Sequence, residues 1–298
     1  MTDDIRAGRV VIIGDALIDE IHRDASVDTY VGGAALNVAV GLSVLGIPAT
    51  LLAMIGDDAD GGRIRQFLTE HGVALIPTIG PNGSSRAVSD RVNGEPVYTF
   101  NAAAMARRVE FGAVEQAALD AADLVVVSSF PFDDKVQSAE LVAAVRNPKS
   151  RLAIDPNPRA GMLHDRDSFR DTFDSVAPNT LLVKVGDDDS ALLYGTNVEE
   201  LSAHLLANGT PTVLATAGRH GASVETAGGI VATEPIADLP GPVIDTMGAG
   251  DATLASVIQS ILADGFPADV AAWHAVLRRA MLIAAATCRS EGALLRQP

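Results

Sequence analysis

The feature that most limits what this chain can become is a series of short segments with no polar face. Val10 to Ile13 is apolar at every position and stops at Gly14, and similar runs recur at 49–55, 124–128, 151–154 and 212–215. A strand with one wet face alternates polar and apolar residues, whereas a continuous run suits a strand covered by helices on both sides. Between the runs lie segments with helical spacing: Val38 to Leu45, Arg63 to His71, Ala113 to Ala121, Ser138 to Val145 and Val198 to Leu206. Strands alternating with helices predict an α/β fold with a central, mostly parallel sheet flanked by helices. Two further helices, Ala268 to Leu277 and Arg279 to Cys288, are expected near the end of the chain.

One region breaks the rhythm. Residues 85–101 hold two β-type runs around Asn93-Gly94, a dipeptide suited to a hairpin turn. Polar and apolar residues mix in it, so it is expected to form part of a small β-sheet that projects from the main body as a lid. The chain reads as one domain over residues 1–298, with lid segments at about 15–32 and 84–103. No internal repeat, low-complexity tract or interdomain linker stands out.

Composition narrows the partners. A formal net charge of −16, from 22 basic against 38 acidic residues, opposes non-specific attraction to nucleic acid or an anionic membrane. The single Cys288 cannot form an intrachain disulfide, the Met-Thr-Asp-Asp start lacks the pattern of a signal peptide, and no stretch is long and apolar enough to span a bilayer. A cytoplasmic protein is expected.

Ligands of open α/β sheets bind beyond the carboxyl ends of the strands, which directs attention to the polar residues there. Asp15 and Asp19 follow the first run. Gly32-Gly33-Ala-Ala-Leu-Asn37 leads into a helix apolar on nearly every side, where Asn37 is the exception. A buried amide needs a partner or a ligand, and paired glycines let a ligand approach the backbone. Asp155-Pro-Asn-Pro-Arg159 follows the fourth run, and Lys184 with Asp187-Asp188-Asp189 comes later. Thr216-Ala-Gly218-Arg-His-Gly221 closes a strand, where its glycines can offer backbone donors to phosphates or simply form a turn.

The most suggestive stretch is Asp245-Thr-Met-Gly248-Ala249-Gly250-Asp251, which opens a segment with Leu254, Val257, Ile258 and Ile261 at helical spacing. A helix N-terminus presents unpaired amides and a partial positive charge, and small residues let an anion come close. Asp251 adds a carboxylate able to accept a proton, a pairing that suits phosphoryl transfer. Taken alone, the same residues fit a tight turn and an acid that complements the helix dipole.

Taken together, these motifs resemble the PfkB-type carbohydrate kinases, the ribokinase family, in the same order and over almost the whole chain. The glycine pair with Asn37 is similar to the family's N-terminal sugar signature, and 245–251 to its C-terminal one. The resemblance implies a ribokinase-like, Rossmann-like domain with a small β lid, using ATP and Mg²⁺ to phosphorylate a sugar hydroxyl. By position it makes Asp251 the general base, with Gly248, Ala249 and Gly250 the anion hole. It gives Asp19, Gly32, Gly33 and Asn37 to the sugar, and Lys184, Thr216, Gly218 and Gly221 to the nucleotide. Asp189 falls where the family often has a glutamate that organises Mg²⁺ through water, one methylene shorter here.

Other departures bear on substrate and ions. Several family members hold a monovalent cation near the C-terminal signature, whereas this chain carries Arg289 and Arg296 nearby, which predicts weak or absent K⁺ activation. Ser128-Ser-Phe-Pro131 stands where ribokinase-type sugar binding uses an acid, so ribose is not the first expectation. The 155–159 and 184–189 segments lean toward a fructokinase-like substrate. Arg86, Arg91, Arg107 and Arg108 flank the expected lid; they could contact a phosphosugar but fit surface charge better. A phosphosugar kinase, a nucleoside kinase and a non-catalytic sugar-binding relative are the alternatives. A dinucleotide-dependent oxidoreductase is disfavoured because no Gly-x-Gly-x-x-Gly follows the first run. A lid sheet with open edges also predicts a homodimer formed through it.

Overall fold

The computed structural model describes residues 9–23, 26–92, 95–146 and 151–298. The Met-Thr-Asp-Asp start and the Asn93-Gly94 turn lie outside them. The chain begins with β1 (Val10–Gly14), β2 (Leu17–Arg23), β3 (Ser26–Gly32), α1 (Ala34–Val44), β4 (Ala49–Ile55), α2 (Ala59–Glu70) and β5 (Ala74–Ile79). It continues through β6 (Ser85–Val92), β7 (Glu95–Phe100), α3 (Ala102–Met105), α4 (Ala113–Asp120), β8 (Leu124–Ser128), α5 (Lys135–Ala144), β9 (Arg151–Asp155) and α6 (Arg166–Val176). Then come β10 (Leu182–Gly186), α7 (Asp187–Tyr194), α8 (Val198–Ala207) and β11 (Thr212–Thr216). The chain ends with β12 (Ala222–Thr226), β13 (Val231–Glu234), α9 (Ala249–Asp264) and α10 (Val270–Thr287).

The main sheet runs β13-β12-β11-β10-β9-β8-β1-β4-β5. From β5 to β11 every neighbouring pair is parallel, as the apolar runs require. Alternate residues of β1 explain the missing polar face: Val10 and Ile12 pack with Leu36, Leu254 and Trp273 on one side. Val11 and Ile13 pack with Phe132, Phe169 and Phe173 on the other. The β12 and β13 edge is antiparallel, because short turns cannot make the crossover that parallel pairing needs.

A second sheet, ordered β3-β2-β6-β7, contains the expected hairpin as β6 and β7. It is tied to α2 by Arg86, which pairs with Glu20 and with Asp60 at 2.6 Å, and by Arg63 Nη2 donating to Thr29 Oγ1 at 3.0 Å.

Several elements depart from the sequence reading. The two expected C-terminal helices are the single α10, since Arg278 and Arg279 are exposed on its outer face and nothing there breaks a helix. Helix α2 begins four residues before Arg63, capped by Asp58, whose Oδ1 accepts from Gly61 N at 2.8 Å. The acidic run 187–189, to which no element was assigned, is the first turn of α7. Strand β5 and helix α6 were not anticipated.

Strand order reverses between β1 and β8, with β4 and β5 on one side and β9 onward on the other. Such a switch point opens a crevice at the carboxyl ends. Gly14, Ser128 and Asp155 stand side by side there, in register.

Candidate active site

The site grows from these strand ends. After β1 the chain passes Asp15, whose Oδ1 accepts from Ala35 N at 3.0 Å and so holds the start of α1. Gly33, at φ 114°, presses against the same residue: a Cβ there would lie 2.8 Å from the Asp15 carbonyl oxygen. A Cβ on Gly32 would lie 2.3 Å from Asp19 Oδ2 and would displace that carboxylate, whereas the clash at Gly33 is with backbone. Burial raises the pKa of Asp15. Burial, then the charge of Asp15, pushes Asp19 up to about 7.

Asn37 joins the two signature regions. Its Nδ2 donates to Asp251 Oδ2 at 2.9 Å across the crevice, while its Oδ1 is buried without a partner. Asp251 is buried in the first turn of α9. Burial, then the charge of Asp155, lifts it to about 7 against the opposing Asn37 hydrogen bond and the Lys184 and Arg159 charges. A carboxylate tuned near neutrality is suited to accept a proton from a hydroxyl.

The helix start has the expected form. Gly248 caps α9 at φ 74°, and a Cβ on it would lie 2.0 Å from the Ala293 carbonyl oxygen, so only glycine fits. Ala252 N is the first amide to bond back into the helix, at 2.8 Å to Gly248 O, and Ala249 N reaches Thr246 O at 3.3 Å. Helix geometry leaves the amides of Gly250 and Asp251 without intrahelical acceptors and able to receive an anion.

Lys184 stands beneath this turn: a Cβ on Gly250 would lie 3.1 Å from its Nζ. It pairs with Asp155 at 3.1 Å in the interior. Burial lowers its pKa, but Asp155, then Asp189 and Asp251, outweigh that and raise it beyond its ordinary value. Its place is thus at the helix start rather than at the 216–221 turn. In that turn, Thr216 Oγ1 donates to Val185 O at 3.3 Å. Gly221, at φ 95°, is required by packing, since a Cβ would lie 2.1 Å from Glu234 O. Gly218, at φ 47°, faces open space.

Asp189 is buried and caps its own helix, its Oδ2 accepting from Gly186 N at 2.7 Å. Burial lifts it to about 6, with Lys184 opposing and Asp155 adding to the rise. Among the described residues no three metal-ligating side chains cluster. Two nearby carboxylates, Asp189 and the Lys184-paired Asp155, are hard oxygen donors of the kind that fits Mg²⁺ held largely by phosphate and water.

The structure also corrects the arginines. Arg86 is occupied by Glu20 and Asp60, Arg108 is exposed, and the Arg91 side chain lies outside what is described. Arg107 is no surface charge: it is partly buried, with Nε fully shielded and unpartnered. Arg159 and Asp155 belong to the site although no role was assigned to them. Arg159 is exposed, and its charge acts on Asp15, Asp19, Asp189 and Asp251 together. Their position after a strand end was the available signal.

Comparison with known proteins shows the family and the fold. The model of the pfkB family carbohydrate kinases matches residues 8–298. A fructokinase of Rhizobium leguminosarum bv. trifolii is 32% identical over 269 residues, covering 86% of this chain and 80% of the relative. The structure of a fructokinase from Vibrio cholerae O395, bound to fructose, ADP and calcium ion, superposes with a TM-score of 0.77 at 22% identity, covering 97% of this chain and 95% of that one. A ribokinase from Thermotoga maritima gives a TM-score of 0.73 at 16% identity, covering 96% and 94%, so the fold is ribokinase-like.

Proposed function

We propose, from the premise that this chain belongs to the pfkB family of carbohydrate kinases, that it phosphorylates a small neutral sugar, with fructose the favoured substrate. As a family member it is an ATP-dependent phosphotransferase acting on a sugar hydroxyl. The observation that carries the assignment of roles is the Asn37–Asp251 hydrogen bond of 2.9 Å at the start of α9, which joins the sugar signature to the transfer point.

Phosphoryl transfer asks the protein mainly for positioning and charge stabilisation. Asp19, Gly32, Gly33 and Asn37 hold the sugar, and Asp251 orients the reacting hydroxyl and takes its proton. The helix start at Gly248–Gly250, through the unpaired amides of Gly250 and Asp251, receives phosphate charge, with the Lys184 cation beneath it. Thr216 and the open Gly218 border the nucleotide. Mg²⁺, held through Asp189 and Asp155 with water and phosphate, would neutralise phosphate charge. The β3-β2-β6-β7 sheet acts as the lid over a single domain, and the enzyme works in the cytoplasm, where ATP is abundant.

The test is ATP turnover across a panel of sugars by the wild type and by Asp251→Asn. Turnover of fructose, lost in the variant with sugar binding intact, is the expected result. Sugar binding by both proteins with phosphorylation by neither would sink the assignment. We also propose a homodimer through the lid, whose Val27 and Tyr98 are exposed. Light scattering at working concentration should give twice the 30.8 kDa chain mass, and a monomer removes the idea.

A further inference from the structure

The small sheet has two faces of different character, and strand register fixes which residue belongs to which. Side chains alternate along a strand, and neighbours in register share a face. Ile18 and Glu20 on β2 therefore share one face with Val31 and Thr29 on β3 and with Arg86 on β6. Asp19 lies on the opposite face, with Tyr30 and Ala87.

The first face rests on α2. At its root, Ile18 and Val31 join the core cluster that holds Ile64 and Phe67. Farther out the contacts are charged. Arg86 Nε and Nη2 both reach Asp60 Oδ2, at 2.7 and 2.6 Å, while its Nη1 holds Glu20. Arg63 completes the row, with Nη1 3.5 Å from Asp60 Oδ1 and Nη2 donating to Thr29 Oγ1 at 3.0 Å. Asp60, Arg63, Ile64 and Phe67 recur three and four residues apart, so a single stripe of α2 supplies the whole seat. The Asp60 side chain is 13% exposed and that of Arg86 34%, which shields the pair better than an open surface ion pair, and the two-donor contact fixes its geometry.

The base of the β6–β7 hairpin is held separately. Asp58 accepts from Ser84 N and Ser84 Oγ, both at 2.7 Å, and Asn101 donates to Ser84 O at 2.9 Å and accepts from Arg86 N at 3.0 Å. With the base fixed, the tilt of the sheet over the crevice is left to the contacts farther out, above all Arg86 with Asp60.

We propose that Asp60 and Arg86 are positioning residues that seat the lid on α2 before sugar arrives, and so set where Asp19, on the other face, stands in the crevice. Neither residue touches the sugar. The inference rests on the sugar-kinase reading above and goes beyond it, because it places control of sugar affinity in a pair outside the pocket. An unseated lid has to be ordered as the sugar binds, which lowers apparent affinity by the fraction that is seated. Once the sugar holds the lid, the transfer step proceeds as before.

Arg86→Gln and Asp60→Asn, singly and together, test this in the full chain. In steady-state kinetics with ATP and fructose, each single variant should raise KM for fructose about three- to tenfold, with kcat within about twofold and KM for ATP unchanged. The double variant should be no worse than the poorer single one, since either change breaks the same pair. Hydrogen exchange gives a second readout: without sugar, the amides of β2 and β6 should exchange faster in the variants than in the wild type, those of β1 and β4 should not, and saturating fructose should restore protection. An unchanged or lowered KM for fructose, a loss confined to kcat, or effects that multiply in the double variant overturns the proposal. A wild type that fails to phosphorylate fructose sinks the fructose-kinase reading instead, and exchange in the free proteins then decides the seat alone: equal rates in β2 and β6 overturn it.

Discussion

The two sides of the crevice are built to different tolerances. On the transfer side, Gly33, Gly248, Asn37, Asp251, Lys184 and Asp155 are locked by contacts that leave no room for a methyl group or for a lone charge. On the proposed nucleotide side, Gly221 is packed against Glu234 O, but Gly218 faces open space and the irregular segment after β13 exposes Val243 at 60% and Ile244 at 56%. On the proposed reading, the transfer point is held ready by the folded chain, whereas the rim at Gly218 is left for the nucleotide to complete. Preorganised charge is worth most where the reacting atoms pass, and an open rim lets the product nucleotide leave.

The largest effect should come from the locked side. Asp251→Asn removes the proton acceptor while keeping an oxygen for the Asn37 amide, so kcat should fall by about 10²–10⁴ with the sugar affinity little changed. In the wild type, kcat/KM should climb by about tenfold per pH unit below the Asp251 pKa of about 7 and then level off. A flat profile from pH 5 to 8 (roughly the span of such titrations) would remove Asp251 as the base.

A pair of equal changes tests the contrast itself. Gly248→Ala sets a methyl carbon 2.0 Å from the Ala293 carbonyl oxygen at φ 74°, and should cost roughly 2–5 kcal/mol of stability together with most activity. Gly218→Ala meets nothing within 4 Å and carries only the positive-φ cost, about 1–2 kcal/mol, with any kinetic change confined to KM for ATP. Denaturant melts and steady-state kinetics of both variants decide the matter. Similar losses in the two would break the distinction between a locked and an open side.

Smaller is the stability that the locked acids withhold. The folded pKa of Asp251 lies near 7, above its ordinary 3.8, so the native state binds the proton more tightly than the unfolded chain does. Stability from this group is fully present below about pH 4 and is lost as pH rises through about 7. Asp251→Asn should therefore melt a few degrees higher than the wild type at pH 8, with the gap closing at pH 4. A variant equally or less stable at pH 8 would show that Asp251 is not strained by its burial.

How much of this was legible depended on the range of each interaction. The parallel body followed from runs such as Val10 to Ile13, because burial on both faces leaves its mark residue by residue. Helix α6 also carries a local signal, an Asp165 cap with Phe169 and Phe173 on one face. The reason Gly248 must be glycine was out of reach, since it is a carbonyl 45 residues later in the chain. Arg107 looked like surface charge for a similar cause: its burial is set by β1, β8 and the lid base, which no window of sequence brings together.

The smallest expected effect concerns the segment between the two sides. The segment that leads from β13 to the helix start is irregular, and it is fastened to the end of α10. Arg289 donates from Nε to Pro240 O at 2.9 Å, from Nη1 to Ala285 O at 2.8 Å, and from Nη2 to Leu239 O. Cys288 O accepts from Ile244 N at 2.8 Å, and Asp245 Oδ2 accepts from Gly292 N at 3.2 Å. A guanidinium that gathers three carbonyl oxygens does what a bound monovalent cation would do, and being covalently attached it needs no ion concentration to stay in place. Replacing Na⁺ by K⁺ at constant ionic strength leaves screening unchanged and should thus change kcat by less than about twofold. Arg289→Ala leaves the carbonyls without their cation, and its activity should fall and become sensitive to which monovalent ion is present. Strong K⁺ activation of the wild type would mean that the fastening is incomplete without an ion, and the locked side would end at Gly248 rather than extend to Arg289.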